Sequence, residues 1–214
     1  MGYAIDTLKT DVRKLLDEQG ANDSGFANSG STDTNAEVDD TELNNLIELY
    51  APEARNFVLS GCDSGLLEKE VTRSSAIITS QSTQSNVLRL VRATNSTWKR
   101  DVTEFIDKGS KDASMLEDSI SCGTIWSPKV AFSFDGSTTV NLKFSPSPTG
   151  GTTYLYYVSA TAVNSSNLNV EGVLLQAAVR HYIAGLVCQS MGDSRADGFF
   201  QMAMNYMGVG GKEG

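Results

Sequence analysis

The stretch CQSMGDSRADGFF, residues Cys188–Phe200, decides how the chain ends, and it follows closely on His181, the only histidine. Its carboxylates, arginine and nearby imidazole could be collected for acid–base chemistry, or Gly192-Asp193 could be the joint between two helices. Gly192 suits the left-handed residue that stops a helix, and Asp193 suits the N-cap of the next, where a carboxylate accepts backbone amides and meets the positive end of the dipole. Upstream, GVLLQAAVRHYIAGLVCQS (172–190) is apolar on almost every side, the pattern of a helix surrounded by neighbours, and Gly185 would permit a close helix contact. Downstream, residues 194–207 place Ala196, Phe199, Phe200, Ala203 and Met207 on one stripe. No pattern couples His181 to a serine or cysteine nucleophile, so it reads as a structural or interface histidine within a helical hairpin.

The other end of the chain is helical too. Ile5, Leu8, Val12, Leu15 and Leu16 recur at helical spacing and predict a helix over 4–18, with Gly20 ending it. Residues 19–38 are rich in Gly, Ser, Asn and Asp and predict a long polar connection. Asp39-Asp40-Thr41 then offers caps to a second helix, whose apolar stripe (Leu43, Leu46, Ile47, Tyr50, Ala54, Phe57) stays in phase across Pro52.

Between the helical ends, residues 61–171 change to short runs of Val, Ile, Thr and aromatics separated by Gly, Asn, Ser and Pro, which predict strands and turns. KVAFSFDGSTTVNLKF (129–144) is the clearest hairpin. Val130, Phe132 and Phe134 alternate toward one side, Asp135-Gly136 supplies the turn, and Val140, Leu142 and Phe144 return. SNVLRLVRAT and TTYLYYVSA read as further strands, and KDASMLEDS as one helical excursion. The expected fold class is therefore α+β: a helical bundle from 1–60 and 172–207, a β-rich, antiparallel sandwich-like insertion at 61–171, and a flexible tail at 208–214.

Composition narrows the chemistry. The chain has 214 residues and a net charge of −9; residues 1–60 hold 4 Lys/Arg against 12 Asp/Glu (−8), and the rest 13 against 14 (−1). Such an acidic balance lacks the electrostatic footprint of a nucleic-acid binder. No run is long and apolar enough to predict a membrane span, so an intracellular or particle-borne protein is expected. Cys62, Cys122 and Cys188 have neither CxxC spacing nor a partner histidine and read as reduced thiols, with no metal or other cofactor expected. The tail GVGGK is not a P-loop, the acids around Asp39 match no EF-hand, and GCDSG (61–65) reads as a turn. Trp98 beside Lys99 and Arg100 offers one weak base-stacking cluster.

In order and pattern, these parts resemble the head–tail connector, or adaptor, ring proteins of tailed bacteriophages. The pieces that carry the resemblance are TLKTDVRKLLDEQG, DDTELNNLIELYAPEARNFV and the closing hairpin AVRHYIAGLVCQSMGDSRADGFFQMAMNYM. The family's tryptophan before the second helix is absent and the loop at 19–38 is unusually long; a ring protein of a short-tailed, crAss-like phage is the narrower match. The resemblance implies a non-enzymatic virion protein of the phage neck, present in the host cytoplasm during assembly. It would form a homo-oligomeric ring, usually of twelve copies, beneath the portal, touch neighbouring tail or ring proteins, and let double-stranded DNA pass without specific binding. On that footing Gly208, Gly210, Gly211 and Lys212 are expected to reach a partner, and Asp39, Asp40, Glu42, Glu48 and Glu53 to line the channel or its rim. A different class is a glycan-binding or adhesive module in which Trp98, Trp126, Tyr154, Tyr156 and Tyr157 form a platform; aromatics that fill or edge the sandwich are the competing expectation.

Overall fold

A computed structural model describes residues 2–22, 40–115, 123–136, 138–148, 151–160 and 167–209. The chain divides into two compact units, residues 1–70 with 162–214 and residues 71–161, so the first crossing lies later, and the second earlier, than the composition shifts at 61 and 171 predict. Helices α1 (Ile5–Asn22), α2 (Asp40–Gly61), α4 (Val173–Ser190) and α5 (Ala196–Tyr206) build the first unit, and a short 3-10 turn at Ser64–Leu67 belongs with them. Strands β1 (Val71–Arg73), β2 (Gln81–Gln84), β3 (Val87–Asn95), β4 (Ile106–Asp107), β5 (Lys129–Asp135), β6 (Thr139–Ser145) and β7 (Thr153–Ser159), with the short α3 (Lys111–Met115), build the second. The α+β class with terminal helices around a β-rich middle is therefore observed.

In the helical unit α4 is the hub, packing against α1, α2 and α5. Leu175, Ala178, Val179, Ile183, Ala184 and Val187 have no solvent-exposed surface, as an all-round apolar helix requires. Gly185 lets α5 approach: a Cβ there would stand 2.6 Å from the Phe200 ring. Leu8 and Val12 of α1 and Ile47, Ala51, Ala54 and Val58 of α2 close the core. Two expectations are corrected. Helix α1 does not stop at Gly20 but runs to Asn22, and Phe57 of α2, a helix that continues across Pro52 as its stripe predicts, is left 39% exposed rather than buried with that stripe. The acceptor for the buried Arg55 Nε is the Leu168 carbonyl at 2.8 Å, a partner 113 residues away that no local pattern announces.

The β-rich unit has a three-stranded sheet, β1-β7-β3, and a four-stranded sheet, β2-β6-β5-β4. Val87, Ala93, Leu155 and Tyr157 from the first meet Val130, Val140, Leu142 and Phe144 from the second in one core, the sandwich that the alternation predicts. The β5–β6 hairpin pairs Val130 with Phe144 and Asp135 with Thr139. Asp135 is thus paired as the last residue of β5 and Gly136 follows it at φ 77, in place of a two-residue Asp-Gly turn. Burial fades along the strand, from Val130 to half-buried Phe132 to exposed Phe134. One pairing, β4 with β5, is parallel.

Candidate partner-binding surfaces

The hairpin joint is structural in its details. Gly192 takes φ 71, as its reading requires, but Asp193 is not the N-cap of α5: the helix begins at Ala196, and Arg195 occupies the position before it. Asp193 acts two residues before that cap. Its Oδ1 accepts the Arg195 amide at 2.9 Å, and its Oδ2 accepts Arg195 Nε at 2.9 Å and Nη2 at 2.6 Å, while Arg195 Nη1 donates to the Leu16 carbonyl at 3.1 Å. These hydrogen bonds from Arg195 hold the Asp193 carboxyl below the usual carboxylate range. Asp193→Ala is expected to lose on the order of 1 kcal/mol of stability. Because the folded-state pKa is depressed, that difference is present at neutral pH and shrinks as the pH falls through the folded value; thermal melts at pH 7 and in acid check both parts.

His181 is buried on α4 between the rings of Phe199 and Tyr206. Its Nδ1 lies 2.7 Å from the Ala177 carbonyl, which can only accept, so Nδ1 carries the proton. Burial lowers the imidazole's pKa and keeps it neutral. Cys188 is buried nearby, and burial, reinforced by the Asp193 carboxylate, pushes its thiol up to about 11. In GCDSG, Asp63 Oδ1 accepts the Gly65 amide at 2.7 Å and caps the 3-10 turn, while Cys62 points into the core. Neither thiol is expected to react with iodoacetamide at neutral pH unless the helical unit opens, which mass mapping of alkylation before and after denaturation checks. Among the described residues no group of three His, Cys, Asp or Glu is arranged to hold a metal ion, and no helix is long and apolar enough to cross a membrane.

The five aromatics do not form one platform. Trp98 and Tyr157 lie in the sandwich core, Trp98 near the Phe144 ring at 6.5 Å, which also removes the base-stacking reading of Trp98. Trp126 is exposed with Lys99 Nζ 5.8 Å from its ring centre. Tyr154 and Tyr156 alternate with buried Leu155 and Tyr157, and the Arg73 and Arg92 guanidiniums stand over them at 4.7 and 4.3 Å. The four-stranded sheet carries a groove of about 700 Å³, whose lining includes Gln81, Thr83, Lys108, Ser133, Asn141 and Lys143.

On the helical unit, Glu48 is ion-paired with Lys9, whereas Glu42 and Glu53 are exposed on α2; the side chains of Asp39 and Asp40 lie outside the described residues. Gly208 takes φ 74 after α5 and lies against Asp63, whose amide donates to the Met207 carbonyl at 2.8 Å. That gives Gly208 a helix-terminating role in the fold; Gly210, Gly211 and Lys212 lie outside the described residues. Large apolar side chains remain in solvent on this unit: Val173 is 76% exposed and Leu49 68%, and Leu174, Met202 and Val209 are exposed as well. Phe57 stacks on Tyr182 at 4.3 Å, and Tyr182 meets Phe200 at 5.2 Å, so an aromatic row links α2, α4 and α5 and ends at the exposed Phe57. Periodicity alone does not reveal these surface features, because each depends on which neighbour fails to cover a residue. No protein-family model matches the chain, and no curated protein matches it significantly.

Proposed function

We propose that the chain is a non-catalytic subunit of a tailed-phage head–tail connector, a ring protein seated beneath the portal, with a crAss-like phage as its narrower origin. The observation that carries this reading is the set of large apolar side chains left exposed on the helical unit, Leu49, Phe57, Val173 and Leu174. Burying these side chains against neighbouring subunits or a portal would remove them from water. The order of the helices around a β-rich insertion supports the same reading. In a ring of about twelve copies, the strongly acidic helical unit would give passing DNA no cationic wall to adhere to, since duplex binding is driven by counterion release at Lys and Arg. The test is co-sedimentation of the full chain with a purified portal, alongside retention of double-stranded DNA at physiological salt. Stable association with the portal and no DNA retention are expected; indifference to portals would remove the reading.

The polar groove over β2, β6 and β5 favours a second reading, a glycan-binding module. Glycan-array binding lost on Asn141→Leu would establish it.

A further inference from the structure

Charge divides with the fold. Residues 71–161 carry 9 Lys/Arg against 7 Asp/Glu, a net +2, and the rest of the chain 8 against 19, a net −11. The cations of the β-rich unit include a defined pair. Tyr156 on β7 stands in register with Arg73 on β1 and Arg92 on β3, one strand to either side. Two strand spacings separate the arginine positions, on the order of 10 Å. Both arginines are exposed, and each lies over a tyrosine ring. A guanidinium stacked this way keeps its in-plane N–H donors for a carboxylate. Among the described residues the Arg73 guanidinium makes no hydrogen bond or ion pair, and Arg92 has a long ion pair with Asp101, Nη1 to Oδ2 at 3.9 Å, beyond hydrogen-bond distance.

Helix α2 presents the complement. Leu49, Glu53 and Phe57 follow one another at i, i+4 and i+8, all exposed, so one carboxylate sits between two apolar side chains. Glu53 has no cation beside it among the described residues, unlike Glu48 with Lys9. An aromatic ring between two cations on one surface and a carboxylate between two apolar groups on another can meet with both charge and apolar area satisfied.

We propose that the β1-β7-β3 face of one copy, through Arg73, Arg92, Tyr154 and Tyr156, docks the Leu49–Glu53–Phe57 stripe of α2 on a second copy. The contact joins two different patches, so it is heterologous and repeats head to tail, the kind of contact that closes a ring. It rests on the connector reading, and it moves Glu53 from the channel wall to the subunit contact. The two halves of the contact can be broken separately in the full chain, by Arg73→Glu with Arg92→Glu, or by Glu53→Arg. Sedimentation velocity at low salt and rising concentration, without and with portal, is expected to show each variant self-associating at least about tenfold more weakly than the natural chain. An equimolar mixture of the two variants is expected to recover assembly, because each supplies the face the other lacks and the reversed faces also match. Unchanged melting profiles confirm that these surface changes leave the fold intact. Undiminished assembly of Arg73→Glu/Arg92→Glu, or no recovery on mixing, would overturn this contact and leave the connector reading standing. A natural chain that stays monomeric with and without portal would overturn both. Salt-sensitive heparin binding by that monomer, lost in Arg73→Glu/Arg92→Glu, would assign the face to an anionic glycan instead.

Discussion

Phe199→Ala is expected to lower the stability of the helical unit by about 3–5 kcal/mol. Among the described residues Phe199 is the largest side chain with no exposed surface, and it is held on α5 against the hub helix, where its ring centre lies 6.4 Å from that of His181. Alanine would remove the ring's burial and leave a void that α4, itself packed against α1, α2 and α5, cannot collapse to fill. A domain has only about 5–15 kcal/mol in total, so the loss is a large fraction of it and corresponds to a fall in melting temperature of roughly 6–20 °C. Helical circular dichroism reads this unit selectively. Phe199→Leu, which retains much of the volume, should lose roughly half as much. A melting curve for Phe199→Ala that overlays the natural one would show that α5 is not packed as described.

Gly123→Ala should damage the other unit as severely, by at least about 3 kcal/mol. A Cβ at this position would collide with the Ser145 carbonyl and stand 2.9 Å from the Lys129 amide nitrogen, and Lys129 and Ser145 are themselves a paired couple at the ends of β5 and β6. Backbone atoms fixed by a ladder cannot step aside as the end of a flexible side chain can. The Gly123 amide also donates to Ser145 Oγ at 2.9 Å, so retreat of the segment would break that bond. Trp98 and Trp126, the only tryptophans, both belong to the β-rich unit, and their fluorescence is expected to report the loss. Gly136→Ala, where nothing lies within 4 Å but φ is 77, should be milder, costing about 1 kcal/mol through backbone strain alone.

How far the sequence reaches is seen at particular residues. The α4–α5 hairpin was legible because its determinants are local: an apolar helix, a glycine that can take positive φ, and a second stripe in phase. Asp193 lies two residues before the N-cap it is expected to be, because an aspartate serves a tight turn and a helix start by the same acceptance of an amide two residues on, and Arg195, which decides between them, enlists Leu16 from the far end of the chain. Gly20 misled in the opposite direction, since a glycine weakens a helix without forbidding it. The sandwich was visible in alternation, but its outer face was not. Arg73, Arg92 and Tyr156 are joined by strand register across more than eighty residues, and periodicity within any one strand is silent about which residues become neighbours in the next. The same limit hid the parallel β4–β5 pair. The exposed stripe on α2 was missed for a related reason: Phe57 keeps the spacing of a core residue while its environment leaves it at the surface.

The connector reading is tested most directly by imaging the full chain mixed with a purified portal by electron microscopy, at near-physiological salt. The account predicts a closed ring of this chain coaxial with the portal, with helix α2 of each copy against the β-rich unit of the next and an open central channel. Portal particles that remain bare at saturating concentrations of the chain, over a range of portals from short-tailed phages, would contradict it.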